Sequence, residues 1–479
     1  MIAMRMLIDG EFIESSSKET IGIKNPATGE FIDSVPLGNS DDVGRAVDAA
    51  EKAFDDWSAM VPRERGKILF KAAQIVRERA RGLAEILTSE QGKPYKEARD
   101  EVLGFANVLE YYNGISASLQ GGFVPLASDR YCMVLKQPVG VCGAIIPWNV
   151  PAILMGWKVG PALVTGNTMV LKPSSTSPLT DLSLASILTE AGLPKGVLNV
   201  VTGHGQAVGE PLVTNSKVRK ISFTGSTETG MRIKELTSGS LKRITLELGG
   251  SDPMIVCDDV DIDTAVEGAV RGRFYNCGQT CTAVKRLFVF ESIAEEYIRK
   301  LSSRISGLKV GNGMNKDVDI GPLNNYDQRE KMISQMKRVR ENNEGIVVTG
   351  GKIPEGPQYD NGFFYTPTLV RDVIKDSVLL KEEVFGPILP VVVVKDLDEA
   401  IELANDTRYG LGASVWTRDI KKATYATARL QSGIVWINQH TKAPADVPFG
   451  GIKDSGLGRE NGLDSLYEYQ EIKTVMVNV

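Results

Sequence analysis

The chain has 479 residues, with 55 Lys+Arg against 60 Asp+Glu and a formal net charge of −5 at pH 7. At roughly 150 residues per domain, that length predicts about three folding units and ample buried core. A hydrophobic fraction of 42% with 24% charged residues excludes disordered, collagenous and coiled-coil classes, and mild acidity without a dense Lys/Arg stripe argues against a nucleic-acid partner.

Cysteines at 132, 142, 257, 277 and 281 are too few for a disulfide scaffold in so long a chain. Reduced thiols in a cytoplasmic setting are the simplest reading. With His204 and His440 as the only histidines, zinc chemistry and histidine-assisted nucleophiles are disfavoured. The opening MIAMRMLIDGEF has too short an apolar run for a signal peptide. The longest apolar stretch, 138–157, carries Pro147 and Pro151 around Asn149. Prolines there would break a membrane span, so a buried strand, turn and helix start is expected.

In chain order, RYCMVLKQ (130–137) alternates apolar with polar residues after the turn glycines Gly121 and Gly122, as an antiparallel strand with one wet face does. VGVCGAII (139–146) and NTMVLK (167–172) are continuous apolar runs of the kind buried on both faces. A helix follows from Ser177, capped by that serine with Pro178 in its first turn, and Gly192 ends it. Next come the strand VLNVV (197–201), a short helix, the strand ISFT (221–224), a helix near 226–236 and the strand RITLEL (243–248). This alternation means right-handed crossovers on a parallel, Rossmann-like sheet. A second α/β series runs through MIVC (254–257), a helix at 262–274, RLFVF (286–290), a helix near 294–306 and ILPVVVV (388–394). It ends with a helix near 397–406 and strands near 411–416 and 433–437. The tail IKTVMVNV (472–479) alternates like 130–137, so the two predict a small projecting sheet.

Four segments carry chemistry. In FTGSTETG (223–230), Gly225 lies between strand and helix, with Gly230 one turn on. Such a junction brings backbone N–H groups and a helix dipole to a diphosphate, although the pattern is not GxGxxG. In LKPSSTSP (171–178), Lys172 stands at the carboxyl end of a parallel strand, where ligands bind. In ELGGSDP (247–253), Glu247 ends a buried-looking strand, where desolvation raises a carboxylate towards a useful general base. In NCGQTCTAVKR (276–286), Gly278 frees the backbone to turn just before Cys281, a candidate thiol nucleophile. Taken singly, each reads as readily as a glycine turn, a solvated lysine, a salt-bridged glutamate or a buried structural thiol.

Together the pieces resemble the aldehyde dehydrogenase superfamily from about residue 7 to the C-terminus. The motifs occur in order: PWN (147–149), KPS (172–174), FTGS (223–226), ELGG (247–250), GQTC (278–281), EEVFGP (382–387), PFGG (448–451) and SGLGRE (455–460). The resemblance implies Cys281 as nucleophile, the Asn149 amide with the Cys281 backbone N–H as oxyanion donors, and Glu247 as the base that hydrolyses the thioester. It implies Lys158 and Glu460 as a proton exit behind that glutamate. For the cofactor it implies Gly225, Ser226, Gly230 and Leu248 near the diphosphate, Lys172 and Ser174 at the adenosine ribose, and Trp148, Glu383 and Phe385 at the nicotinamide end. NAD-selective relatives tend to carry glutamate three residues after that lysine; here the position is Ser175, so NADP is expected to be accepted and preferred, with NAD as the alternative. The loop 276–282 has no arginine, which favours a small aliphatic or hydroxy-aldehyde of lactaldehyde or glyceraldehyde type over succinate semialdehyde. A CoA-acylating reaction is less expected, because such relatives generally lack the glutamate matching Glu247; a silent binding protein on the same fold would not need Asn149, Glu247 and Cys281 together. The implied architecture is a cofactor domain (1–118 and 139–249), a catalytic domain (250–452) and an oligomerisation arm (119–138 and 453–479), with a homodimer or homotetramer expected and no metal, membrane or nucleic-acid partner.

Overall fold

The uninterrupted apolar runs become central strands, since a strand covered on both faces cannot alternate. In the computed structural model, which describes residues 5–441 and 443–478, Val141–Ile145 and Thr168–Lys172 lie side by side in an eight-stranded sheet. Its order is Gly456–Leu457, Arg243–Glu247, Val218–Thr224, Val141–Ile145, Thr168–Lys172, Leu198–Val200, Met6–Ile8 and Glu11–Ile13. The five middle strands are parallel, and the outer ones run antiparallel to them or to each other. This is the expected Rossmann-like sheet with antiparallel edges.

The helix Pro151–Val164 covers this sheet and is buried along its length apart from the half-buried Ile153. The apolar stretch is thus strand, turn and helix start, as expected. Among the described residues no helix is long and apolar enough to cross a membrane. One cap differs from expectation. The helix Leu179–Glu190 begins after Pro178, and Ser177 donates instead to the Trp148 carbonyl at 3.3 Å. The buried Glu90 carboxylate takes the capping role, accepting from the N–H groups of Leu179 at 2.7 Å and Thr180 at 2.8 Å. A carboxylate satisfies two orphan donors at once and opposes the helix dipole, which one serine hydroxyl does not.

The second series forms a seven-stranded sheet ordered Ile346–Thr349, Thr368–Arg371, Ile388–Val394, Val284–Phe290, Asp252–Val256, Gly412–Trp416 and Ile434–Ile437. All neighbours are parallel except the first pair. The helix Ile262–Phe274 and the strand Ile388–Val394 fall on the expected residues. The two alternating ribbons do pair: Gln470–Asn478 runs antiparallel to Arg130–Pro138, from Gln470 opposite Pro138 to Asn478 opposite Arg130. A third strand, Gly122–Ala127, adds to their edge; its turn glycines hid it in the sequence. Phe123, Leu126, Ile472 and Met476 of this small sheet are exposed. Just before it, Gly456 pairs with Glu247 at the edge of the first sheet, which brings SGLGRE behind ELGG.

Candidate active site

Strand ends and helix starts converge on a cleft of about 680 Å³. Trp148, Asn149, Gly225, Ser226, Leu248, Gly249, Cys281, Glu383 and Phe385 line it, joined by Gln328 and Lys331. Gly225 closes the strand by donating its N–H to the Glu247 carbonyl at 3.0 Å. Ser226 caps the helix Thr227–Thr237, its hydroxyl accepting from the Thr229 N–H at 3.2 Å. The Trp148 and Phe385 rings meet edge to face, centroids 5.6 Å apart. A second hollow of about 820 Å³ lies beyond the same strand end, with Lys172, Glu210, Phe223, Glu228, Thr229 and Arg232 on its walls. Burial lowers the Lys172 amine to about 8, and its Nζ donates to the Pro173 carbonyl at 3.0 Å. Ser174 and Ser175 follow it, half-buried, and Ser174 bonds Thr176. Gly230 lines neither hollow, and a Cβ there would come within 2.4 Å of Leu248, so close packing of helix on strand calls for glycine.

The loop leading to Cys281 is wound left-handed at three successive residues, Asn276 (φ 51°), Cys277 (φ 56°) and Gly278 (φ 73°). Non-glycine residues rarely hold that conformation unless their surroundings fix them. Here the Glu97 carboxylate accepts the Asn276 N–H at 2.8 Å, and Asn276 Nδ2 donates to the Asn149 carbonyl at 2.8 Å. Gln279 spans the turn, its Nε2 donating to the Asn276 carbonyl at 3.1 Å while its Oε1 accepts from Asn324 N at 2.9 Å. His440 braces the far side: its Nε2 lies 2.8 Å from the Thr282 carbonyl and its Nδ1 2.7 Å from Ser414 Oγ. A carbonyl only accepts, so Nε2 carries the proton; burial lowers this imidazole to about 4 and keeps it neutral.

Cys281 is half-buried, and burial pushes its thiol up to about 12, opposed by the Lys285 ammonium and reinforced by Asp252, Glu247 and Glu383. One Asn149 N–H is held by the Gln279 carbonyl at 3.0 Å. An amide has two, and neither the second nor the Cys281 backbone N–H has an acceptor among the described residues. Glu247 is buried just outside the cleft lining, with no partner on either carboxylate oxygen among the described residues. Burial first, then the Glu460 charge, holds it well above the usual carboxylate range, against Lys158 and Arg459. Behind it, Lys158 pairs directly with Glu460 and donates to Thr224 Oγ1 at 2.8 Å, while Ser222 Oγ donates to Glu460 at 2.6 Å. A Cβ at Gly450 would stand 2.8 Å from Glu247 Oε1, which is why PFGG needs a glycine there.

The aldehyde dehydrogenase family profile matches residues 12–475. The chain belongs to the aldehyde dehydrogenase family. It is 42% identical over 483 aligned positions to the betaine aldehyde dehydrogenase of Bacillus subtilis strain 168, spanning 100% of this chain and 98% of that one. Among solved structures it superposes at a TM-score of 0.97 on an Escherichia coli NADP-dependent enzyme, 40% identical over 100% and 98% of the two chains. It reaches the same TM-score with Staphylococcus aureus betaine aldehyde dehydrogenase in complex with NAD+, 36% identical over 99% and 95%. The enzyme is an oxidoreductase of aldehydes, as the motif order implied.

Sequence reasoning missed the supports of this site. Lys93 pairs with Glu101 and donates to the Asn149 carbonyl at 2.7 Å; Glu101 accepts the Ala152 N–H at 2.9 Å. Glu97 and Glu101 stand four apart on the helix Tyr95–Ser116, among the buried Ala98, Val102 and Phe105. Carboxylates within an apolar helical stripe were the legible signal, since a buried charge needs a partner.

Proposed function

We propose that the enzyme oxidises a small aldehyde to a carboxylic acid through a covalent adduct on Cys281, with NADP or NAD as hydride acceptor. The meeting of Cys281, the spare Asn149 N–H and the Ser226 helix start in one cleft carries this reading. The residues suit a dinucleotide. Glu383 Oε2 has no partner among the described residues and lies where a Cβ on Gly249 would come within 2.5 Å, leaving a carboxylate for ribose hydroxyls beside the Trp148–Phe385 pair. Gly225, Ser226 and Leu248 would hold the diphosphate at the helix N-terminus, and Lys172 with Ser174 and Ser175 the adenosine end. A bound cofactor supplies an acceptor for the hydride that leaves the adduct as the thioester forms.

Cys281 Sγ attacks the aldehyde carbon, and the oxygen that gains charge is met by Asn149 Nδ2 and the Cys281 N–H, donors already fixed in place. Glu247, raised towards neutrality, takes a proton from the water that attacks the thioester; the acid leaves and the Cys281 thiolate is regenerated. Lys158 and Glu460 pass that proton outward. Lys285 and Arg286 are both spent on backbone carbonyls and Glu383, so neither offers a charge to an anionic substrate. That favours a neutral or hydroxylated aldehyde, of lactaldehyde or glyceraldehyde type, over succinate semialdehyde. The likeness to betaine aldehyde dehydrogenases favours a second reading, betaine aldehyde itself. Serine at 175 and Lys172 at the second hollow support use of NADP. We assign cofactor binding to 1–118 with 139–249, chemistry to 250–452 and assembly to 119–138 with 453–479. The exposed apolar residues of the small sheet support a homodimer or homotetramer, and the free cysteines a cytoplasmic setting.

The test is an aldehyde panel (lactaldehyde, glyceraldehyde, betaine aldehyde, succinate semialdehyde) run with each cofactor, with and without CoA. Free acid without CoA is expected, with oxidation abolished in Cys281→Ser. Retained oxidation in that variant overturns the reaction, and a preference for NAD of about a hundredfold, about 2.7 kcal/mol, overturns the cofactor assignment.

A further inference from the structure

Lys285 lies on the strand Val284–Phe290, and its side chain is 0% exposed. An ammonium has three N–H donors, and each finds an acceptor in a different part of the site: the Gly250 carbonyl at 2.9 Å, the Cys281 carbonyl at 2.7 Å and Glu383 Oε1 at 2.6 Å. The charge also stands 5.5 Å from the centroid of the Phe385 ring. The Gly250 N–H donates to the same Glu383 oxygen at 3.1 Å. Oε1 is therefore held twice, and Oε2 is left toward Gly249, which lines the cleft.

We infer that Lys285 is a positioning residue that ties the nucleophile to the cofactor carboxylate: one ammonium fixes the Cys281 main chain, orients Glu383 so that a single oxygen meets the cofactor, and sets a positive charge beside the nucleophile's own carbonyl. This rests on the proposed roles of Cys281 and Glu383. The charged groups acting on the thiol are Lys285, Asp252, Glu247 and Glu383. Without the ammonium, the thiol still faces Asp252, Glu247 and Glu383, so the thiolate becomes harder to form. Freed of its anchor, Glu383 loses its aim and cofactor binding weakens.

The test uses the full-length enzyme with Lys285→Met, Lys285→Gln and Glu383→Gln. Cofactor dissociation constants for NADP and NAD are titrated by fluorescence. Without cofactor, the rate at which the Cys281 thiolate displaces iodide from iodoacetamide is followed against pH. Melting temperature reports folding. Both Lys285 variants are expected to raise the dissociation constant about tenfold and to slow alkylation at pH 8 about tenfold, the effect of one pKa unit. Glu383→Gln is expected to weaken cofactor similarly while leaving alkylation equal or faster, because it removes a carboxylate. Adding Lys285→Met to it should weaken cofactor no further. Wild-type affinity and alkylation in a folded Lys285 variant overturn the inference. If neither Lys285 variant folds, unchanged affinity or slowed alkylation in Glu383→Gln overturns it. Loss of oxidation in Cys281→Ser with unaffected Lys285 variants leaves the reaction standing and removes the link alone.

Discussion

Behind the cleft lie two lysine–glutamate pairs of nearly equal exposure, Lys93–Glu101 at 0% and 1%, and Lys158–Glu460 at 0% and 3%. In the first, both members have further partners: Lys93 also serves the Asn149 carbonyl, and Glu101 also serves the Ala152 N–H. Around the second, Glu460 Oε2 and both oxygens of Glu247 have no partner among the described residues. A buried network with every member satisfied is rigid, whereas a buried carboxylate left unsatisfied is costly to ionise and so takes up a proton readily. With the roles proposed above, the difference separates a brace under Asn149 from a proton-handling chain under Glu247.

The sharpest test of that contrast is Glu247→Gln. It should lower kcat by about 10²–10⁴-fold, the usual range for a general base, while the melting temperature holds or rises, because an unpaired buried carboxyl is removed. A fall in stability comparable to the fall in rate would make Glu247 part of a brace as well. Lys93→Met should act in the opposite sense, costing about 3–5 kcal/mol of stability as it strands the Glu101 charge. Equilibrium unfolding in urea measures it, and a loss below about 1 kcal/mol would remove the brace. The smallest expected effect concerns Glu97, whose carboxyl burial pushes up to about 8 from an ordinary 4.5. The native state then holds more protons than the unfolded chain between those values, so the stability this group contributes is present below pH 4.5 and is lost as pH rises towards 8. Glu97→Gln keeps an acceptor for the Asn276 N–H and does not titrate. Its melting temperature should gain on the wild type by a few degrees between pH 5 and 8; a constant gap across that range would contradict it.

What could be read in the chain followed local rules. Continuous apolar runs marked the central strands of both sheets, and the helix Ile262–Phe274 fell on the residues expected of it, with Asp261 as its cap. Cys281, Asn149, Gly225, Ser226 and Glu383, scattered over nearly half of the sequence, do gather in one cleft. What escaped was decided by distant partners. Glu90 displaced Ser177 as a cap from 89 residues away, and Glu97 reaches Asn276 across 179. Gly230 looked like part of a phosphate loop, and only the position of Leu248 shows that packing requires it. Lys285 appeared to be one more basic residue beside Arg286 until three acceptors closed on it.

The reversed winding of 276–278 has a consequence for altering this enzyme. Asparagine tolerates such a backbone and glycine accepts it freely, but valine, isoleucine and threonine do not. A randomised library spread evenly over the loop would therefore lose most of its members at Asn276, Cys277 and Gly278 before selection began. Diversity placed at Thr280 and Thr282, outside that reversed segment, would survive to be screened.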